Sequence, residues 1–196
     1  MKKGFGYFLP NNEKYKEMID YDYKFLCAFK HKDVMPKSYL RDYEWQVTKA
    51  YRKYQANLDT IWKNYYLMRL KRLEKKTGVS FEGNPSIGKG FILGHWGKVV
   101  INGKAKFGNQ FFVTHNVTIG RDIRGKRKGV PEFGDRVVIR TNSCVVGNIH
   151  IGNDVLIAPN TFVNFDVPDH SVVIGNPATI HHRDNATEGH LPNMDF

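Results

Sequence analysis

The chain is short of cysteine, of long apolar runs and, over most of its length, of tyrosine. Only two of its 196 residues are cysteine, Cys27 and Cys144. They lie far apart with neither metal-ligand spacing nor a disulfide framework, so two buried thiols in a reducing compartment are expected. No apolar stretch suits a bilayer span, and the opening residues, Met-Lys-Lys-Gly-Phe-Gly-Tyr-Phe-Leu-Pro, lack the core of a signal peptide. A cytoplasmic location is the expectation. All ten tyrosines precede residue 67, which divides the chain by composition. The division suggests an α-helical N-terminal region at 1–80, a second domain at 81–180 and a C-terminal tail at 181–196.

Acidic residues are scarce at the front. The net charge is +11, and residues 1–80 hold 18 Lys and Arg against 9 Asp and Glu, while residues 81–196 hold 12 against 10. A solvated, Lys-rich helix surface accounts for such an excess. No nucleic-acid-binding motif accompanies it, so no nucleic acid is expected as a partner; a peripheral contact with a membrane or lipid-linked glycan is the remaining use for the basic front. Within this region Tyr15, Met18, Ile19, Tyr23, Leu26 and Phe29 have helical spacing. Between Pro36 and Gly78 there is neither Gly nor Pro, and Tyr43, Val47, Tyr51, Tyr54, Leu58, Ile61, Tyr65 and Met68 form one apolar stripe. The spacing predicts a single long helix from Pro36, ended by Thr77-Gly78.

From Phe81 onward the dominant feature is a period of six. Ile101, Phe107, Val113 and Ile119 form one run, and Phe133, Ile139, Val145, Ile151, Ile157 and Val163 a second. Four residues after most of these comes a small or branched partner: Ala105, Phe111, Val117, Val137, Ser143, Ile149, Val155 or Thr161. A sandwich would show alternation with irregular turns, whereas ten anchors on one grid specify hexapeptide repeats wound as a parallel β-helix, three sides to a coil. Such coils bury their apolar edges only against neighbours. Two interruptions are visible. Eight residues rather than six separate Leu93 from Ile101, and fourteen separate Ile119 from Phe133, so residues 121–130 form a protruding loop. After Val163 the sequence leaves the grid, and the polar tail from His181 is expected to be weakly ordered.

Register arithmetic then locates a candidate site. His95 and His115 each lie two positions past an anchor, Leu93 and Val113, which are one coil apart. They are expected to stack on one edge, with Thr141 and Pro159 continuing the column, beside the insertion and the loop. Imidazole titrates near neutral pH, so the pair suits acid/base chemistry, although a hydrogen-bonded structural role is equally open for His115. No third ligand at suitable spacing suggests a metal site.

Several segments carry a resemblance: Glu82-Gly-Asn-Pro-Ser-Ile-Gly-Lys-Gly-Phe-Ile-Leu-Gly-His95, Asn116-Val-Thr-Ile-Gly120, Val146-Gly-Asn-Ile149 and Ile174-Gly-Asn-Pro-Ala178. Over roughly 81–180 the chain resembles the left-handed β-helix acyltransferases, and among them the serine acetyltransferase-like branch that includes polysaccharide O-acetyltransferases. The resemblance implies acetyl-CoA as co-substrate, no metal, and a homotrimer with the co-substrate in a groove between subunits. It implies His95 as general base and Glu82 as its orienting carboxylate, with His115 as a second catalytic or acceptor-positioning residue. Arg140, Asn142, Ala158, Pro159 and Asn176 are the candidates for the co-substrate groove.

The departures bear on the acceptor. Where serine acetyltransferases carry Asp before the histidine, this chain has Gly94; where they carry Arg-His-Pro after the loop, it has Gly129-Val130-Pro131; and it ends in Asp195-Phe196 rather than Ile. The charges that would grip an amino acid are missing, while Trp96, Arg121 and Arg124 suit a saccharide. The expectation is therefore an O-acetyltransferase acting on a sugar hydroxyl of a surface polysaccharide or its precursor. A divergent serine O-acetyltransferase is the enzymatic alternative, and an inactive β-helix scaffold the alternative from another class.

Overall fold

The structure is a computed structural model that describes residues 9–194. Most of the opening stretch and the Asp195-Phe196 end lie outside the described residues.

The first helix, α1 (Asn12–Phe29), starts where the Asn11 side chain accepts the Lys14 N–H at 3.1 Å. The expected single helix from Pro36 is not formed. A short 3₁₀ turn at Tyr39–Arg41 is followed by α2 (Tyr43–Ala56) and α3 (Lys63–Thr77). The break is made by side chains rather than by Gly or Pro. Asn57 donates to the Lys53 carbonyl at 2.9 Å and accepts from the Asn11 N–H at 2.8 Å, and Thr60 donates back to the Asn57 carbonyl at 3.1 Å. These bonds replace the helical ladder over one turn and fold α3 back along α2. Gly78, in the left-handed region at φ 73°, ends α3, and a side chain there would meet the Lys98 backbone nitrogen at 3.0 Å.

The remainder is a parallel β-solenoid of about five turns. One face stacks Val79–Gly83, Val99–Gly103, Thr118–Gly120, Cys144–Val146 and Phe162–Val163. The second stacks Ser86–Ile87, Lys106–Phe107, Glu132–Phe133 and His150–Ile151. The third stacks Ile92–Leu93, Phe112–Val113, Val137–Ile139, Val155–Ile157 and Ser171–Gly175, and is closed by Ala178–His182, which runs antiparallel. The register follows the sixfold grid: Ile101 pairs with Ile119, Phe107 with Phe133 and Val113 with Ile139. All ten anchors point inward, none more than 6% exposed, and their eight small or branched partners are buried as well. Phe107 and Phe133 stack face to face, 4.6 Å apart.

Two expectations for the end of the chain are corrected. The coil continues past Val163, with Val167 bridging to Ile151 and Val173 pairing with Ile157. One side is simply two residues shorter, which hides it from a strict period of six. The tail is tied down rather than loose. Asp154 accepts the Ala186 N–H at 2.8 Å, the Thr187 N–H at 3.0 Å and the Thr187 hydroxyl at 2.6 Å, and Gln110 donates to the Met194 carbonyl at 2.7 Å.

The helices are fastened to the first coils by two devices. The Tyr51 ring stacks on Phe81 at 4.4 Å, and its hydroxyl donates to the Pro85 carbonyl. Arg52 and Asp22 form a fully buried pair at 2.7 Å. The same Asp22 carboxylate accepts the Gly90 and Phe91 N–H groups at 2.8 and 3.0 Å, and Arg52 donates to the Ile87 carbonyl at 2.7 Å. Every charge in this pair is therefore answered by backbone of the solenoid.

Candidate active site

Because Leu93 pairs with Val113, the residues two positions on share one corner of the triangle, between the third and first faces. There the His95 and His115 rings lie 5.7 Å apart, nearly edge-on at 70°. The Thr141 hydroxyl follows in the next coil, within 3.4 Å of both His115 nitrogens and 3.2 Å from the Thr114 hydroxyl. The same register carries this edge onward through Arg140 and Asn142, Ala158 and Pro159, and the turn at Asn176. Asn116 donates to Asn142, and Asn142 to Asn160 at 3.1 Å, so the lower edge is a ladder of corner asparagines with positive φ. The Ala158 N–H is already used by the Val173 carbonyl at 2.9 Å. Arg140 lies over the Phe112 ring at 5.7 Å.

The two-residue insertion is the loop that presents His95. Trp96, half exposed, meets the Tyr43 ring edge-on at 5.8 Å, and Gly97 accepts the Asn116 N–H at 3.1 Å. Between Trp96, Lys98, His115, Asn116 and Asn142 opens a cavity of about 320 Å³. Gly94 has a local cause: a Cβ there would fall 2.5 Å from the Phe112 ring and 3.2 Å from a Thr114 methyl. Phe112 in turn packs on Phe29 of α1, ring centroids 5.1 Å apart.

Three other residues are not brought to this corner within one chain. Glu82 is exposed and paired with Asn102, three residues beyond the Val79 and Val99 pair that follows the His95 loop. It stands at the other end of the first face. The carboxylate that approaches His95 is Glu44, in the first turn of α2, with Oε1 4.0 Å from Nδ1. Arg121 and Arg124 belong to the loop that leaves after Gly120, also at the far end of the first face; its neck is closed by two bonds between Asp122 and Gly129, 2.9 and 3.0 Å. The expectation that the loop flanks the histidines is thus not met inside a single chain. Glu44, Tyr43 and Thr141 complete the surroundings of the pair. Of these, only Thr141 had a signal in the sequence, its place in the column.

Among the described residues no three His, Cys, Asp or Glu side chains converge as a metal site, and no helix is long and apolar enough to cross a membrane.

No family model matches the sequence. Curated relatives do. Serine acetyltransferase 1, chloroplastic, of Arabidopsis thaliana is 32% identical over 184 residues, 90% of this chain and 57% of that protein. Mitochondrial serine acetyltransferase 3 of the same plant is 36% identical over 116 residues, 58% of this chain and 29% of that protein. The chain therefore spans well under two thirds of the length of these relatives. Among solved structures, the serine acetyltransferase of Neisseria gonorrhoeae superposes with a TM-score of 0.70 at 26% identity, over 86% of this chain and 68% of that one. That of Brucella abortus reaches 0.77 at 20% identity, over 90% and 72%. In sequence and fold together, the chain is a hexapeptide-repeat β-solenoid similar to serine acetyltransferases.

Proposed function

We propose that the chain transfers an acetyl group from acetyl-CoA to a hydroxyl, with His95 as general base. The observation that carries this is the exposed imidazole pair on the solenoid edge, beside a cavity of about 320 Å³ and with Glu44 4.0 Å behind His95. A hydroxyl is a poor nucleophile near neutral pH. The His95 ring takes its proton as the oxygen attacks the thioester carbonyl; the tetrahedral adduct collapses, the carbon–sulfur bond breaks, and the proton leaves on the thiol of CoA. Glu44 stabilises the imidazolium and takes the part that the sequence resemblance gave to Glu82. His115, held by Thr141, positions the acceptor. Arg140, Asn142, Ala158, Pro159 and Asn176 follow the same edge and form the track for the co-substrate. The reading includes a cytoplasmic homotrimer, in which Arg121 and Arg124 of a neighbouring loop reach this edge.

Serine is the acceptor that the relatives favour, and the Neisseria gonorrhoeae enzyme has been crystallised in complex with serine. One observation favours a saccharide instead: the Trp96 ring, next to the base in sequence and half exposed, meets Tyr43 edge-on, and Gly94 leaves no charge for an amino acid. Thioester consumption measured with L-serine and with a panel of saccharides decides between them. Turnover with serine far above that with any sugar establishes the serine reading, and the reverse establishes the saccharide. If neither acceptor consumes the thioester, acetyl transfer itself is wrong.

A further inference from the structure

The helical region contains a second cavity, remote in composition from the histidine edge. It has a volume of about 440 Å³ and is lined by Arg41, Lys49, Lys53 and Arg69, with Tyr15 and Tyr66 forming aromatic walls. No acidic side chain lines it. A second lobe of about 300 Å³ shares Gln46, Arg69 and Leu73 with it and adds Arg72. Among the described residues none of these five cations forms an ion pair.

Lys49 and Lys53 are half-buried, while Arg41, Arg69 and Arg72 are exposed at the rim. The position of Lys53 is the best defined. Its ammonium sits over the Tyr15 ring at 3.9 Å and 5.8 Å from the Tyr66 ring, and its polar contact is the Asn12 side chain at 3.3 Å. Burial, and then the charge of Arg69, hold its pKa below the usual lysine value. Cations gathered around a cavity with no acidic side chain in its lining repel one another, although Asp20 and Asp22 act on the Tyr15 wall, and that repulsion is relieved when an anion enters. Guanidinium groups fork onto phosphate oxygens while lysine supplies point charge, and the tyrosine faces give a planar group something to stack on.

We propose that this cavity between α2 and α3 binds a small diphosphate-bearing anion. The proposal does not rest on acetyl transfer, because none of its residues touches the histidine edge.

The test is calorimetric titration of the full chain with pyrophosphate and with UDP. One saturable site is expected for at least one of them, weakened about tenfold or more in the Lys49→Glu/Arg69→Glu variant, which turns two cations of the lining into anions. A Lys126→Glu/Lys128→Glu variant, altered in the exposed solenoid loop, is expected to bind as the parent does. UDP binding more tightly than pyrophosphate identifies a nucleotide whose base stacks on Tyr15 or Tyr66; equal binding identifies the free diphosphate. Should the cavity variant fail to fold, Arg69→Ala replaces it, with a smaller loss expected. The proposal is overturned if neither probe saturates, if the cavity variant binds as the parent does, or if the loop variant loses binding equally.

Discussion

Two pairings of a carboxylate with a nitrogen base put this chain's charges to opposite uses. Asp22 and Arg52 are both fully buried, 2.7 Å apart, with their remaining valences answered by the backbone at Ile87, Gly90 and Phe91. Glu44 and His95 are 4.0 Å apart, and the imidazole is 71% exposed. The first pair has no freedom left and no access to a solute, so it can only hold α1 and α2 against the solenoid. The second is open to solvent and lies beside a neighbouring histidine, so a solute can reach the ring, as the proposed reaction needs. The contrast lies in access: solvent is shut out from the first pair and reaches the second.

Substitutions break this comparison in order of size. Asp22→Ala leaves a buried guanidinium and two backbone N–H groups without their acceptor, so denaturant unfolding is expected to show a loss of about 3–5 kcal/mol. His95→Ala is expected to leave that unfolding curve unchanged and to lower acetyl-transfer kcat by roughly 10²–10⁴-fold. Unchanged turnover would move the base to His115. The tail offers an intermediate case: Asp154→Ala strands the buried donors of Ala186 and Thr187 and is expected to cost about 1–3 kcal/mol. Hydrogen exchange would show that loss as lower protection over residues 183–194. Glu44→Gln is expected to reduce turnover only about two- to fivefold, the worth of a half-exposed pair of roughly 0.2–1 kcal/mol.

The smallest effect is a pH dependence at the tail. The hydrogen bond to Asp154 raises the His170 pKa above the ordinary 6.5. The contribution of the charged ring is therefore complete below that value and is lost as pH rises through the folded-state pKa. Burial by itself pushes the Asp154 pKa upward, but the Thr187 donors, then His170 and the Ala186 N–H, outweigh it and hold the pKa below the ordinary 3.8. Its contribution is present above that value and fails as pH drops through the folded one. Tail protection is accordingly expected to decline on the alkaline side of the histidine titration, and to show no such step in His170→Phe.

How much of this was legible in the residues follows from distance along the chain. The solenoid anchors were visible because each coil repeats its neighbour, so the grid that spaces Val113, Ile139 and Ile157 is the grid that stacks them. The meeting of His95 and His115 followed from the same arithmetic. Whatever joins the helices to the coils was hidden, since Asp22, Glu44 and Arg52 lie outside any repeat and look like ordinary surface charges of a basic region. The helix break at Asn57 was missed because its cause is a set of side-chain bonds, among them one to Asn11, 46 residues away. The shortened side after Val163 defeated a strict period although the stacking persists through Val173.

The crowding at Gly94 bears on how this pocket can change over generations. An acid introduced there alone would push its first carbon into Phe112, and Phe112 is itself backed by Phe29 of α1. A lineage that came to need a carboxylate beside its base would first have to thin the aromatic rings behind it. Side-chain size at position 94 and in the first helix is therefore inherited together.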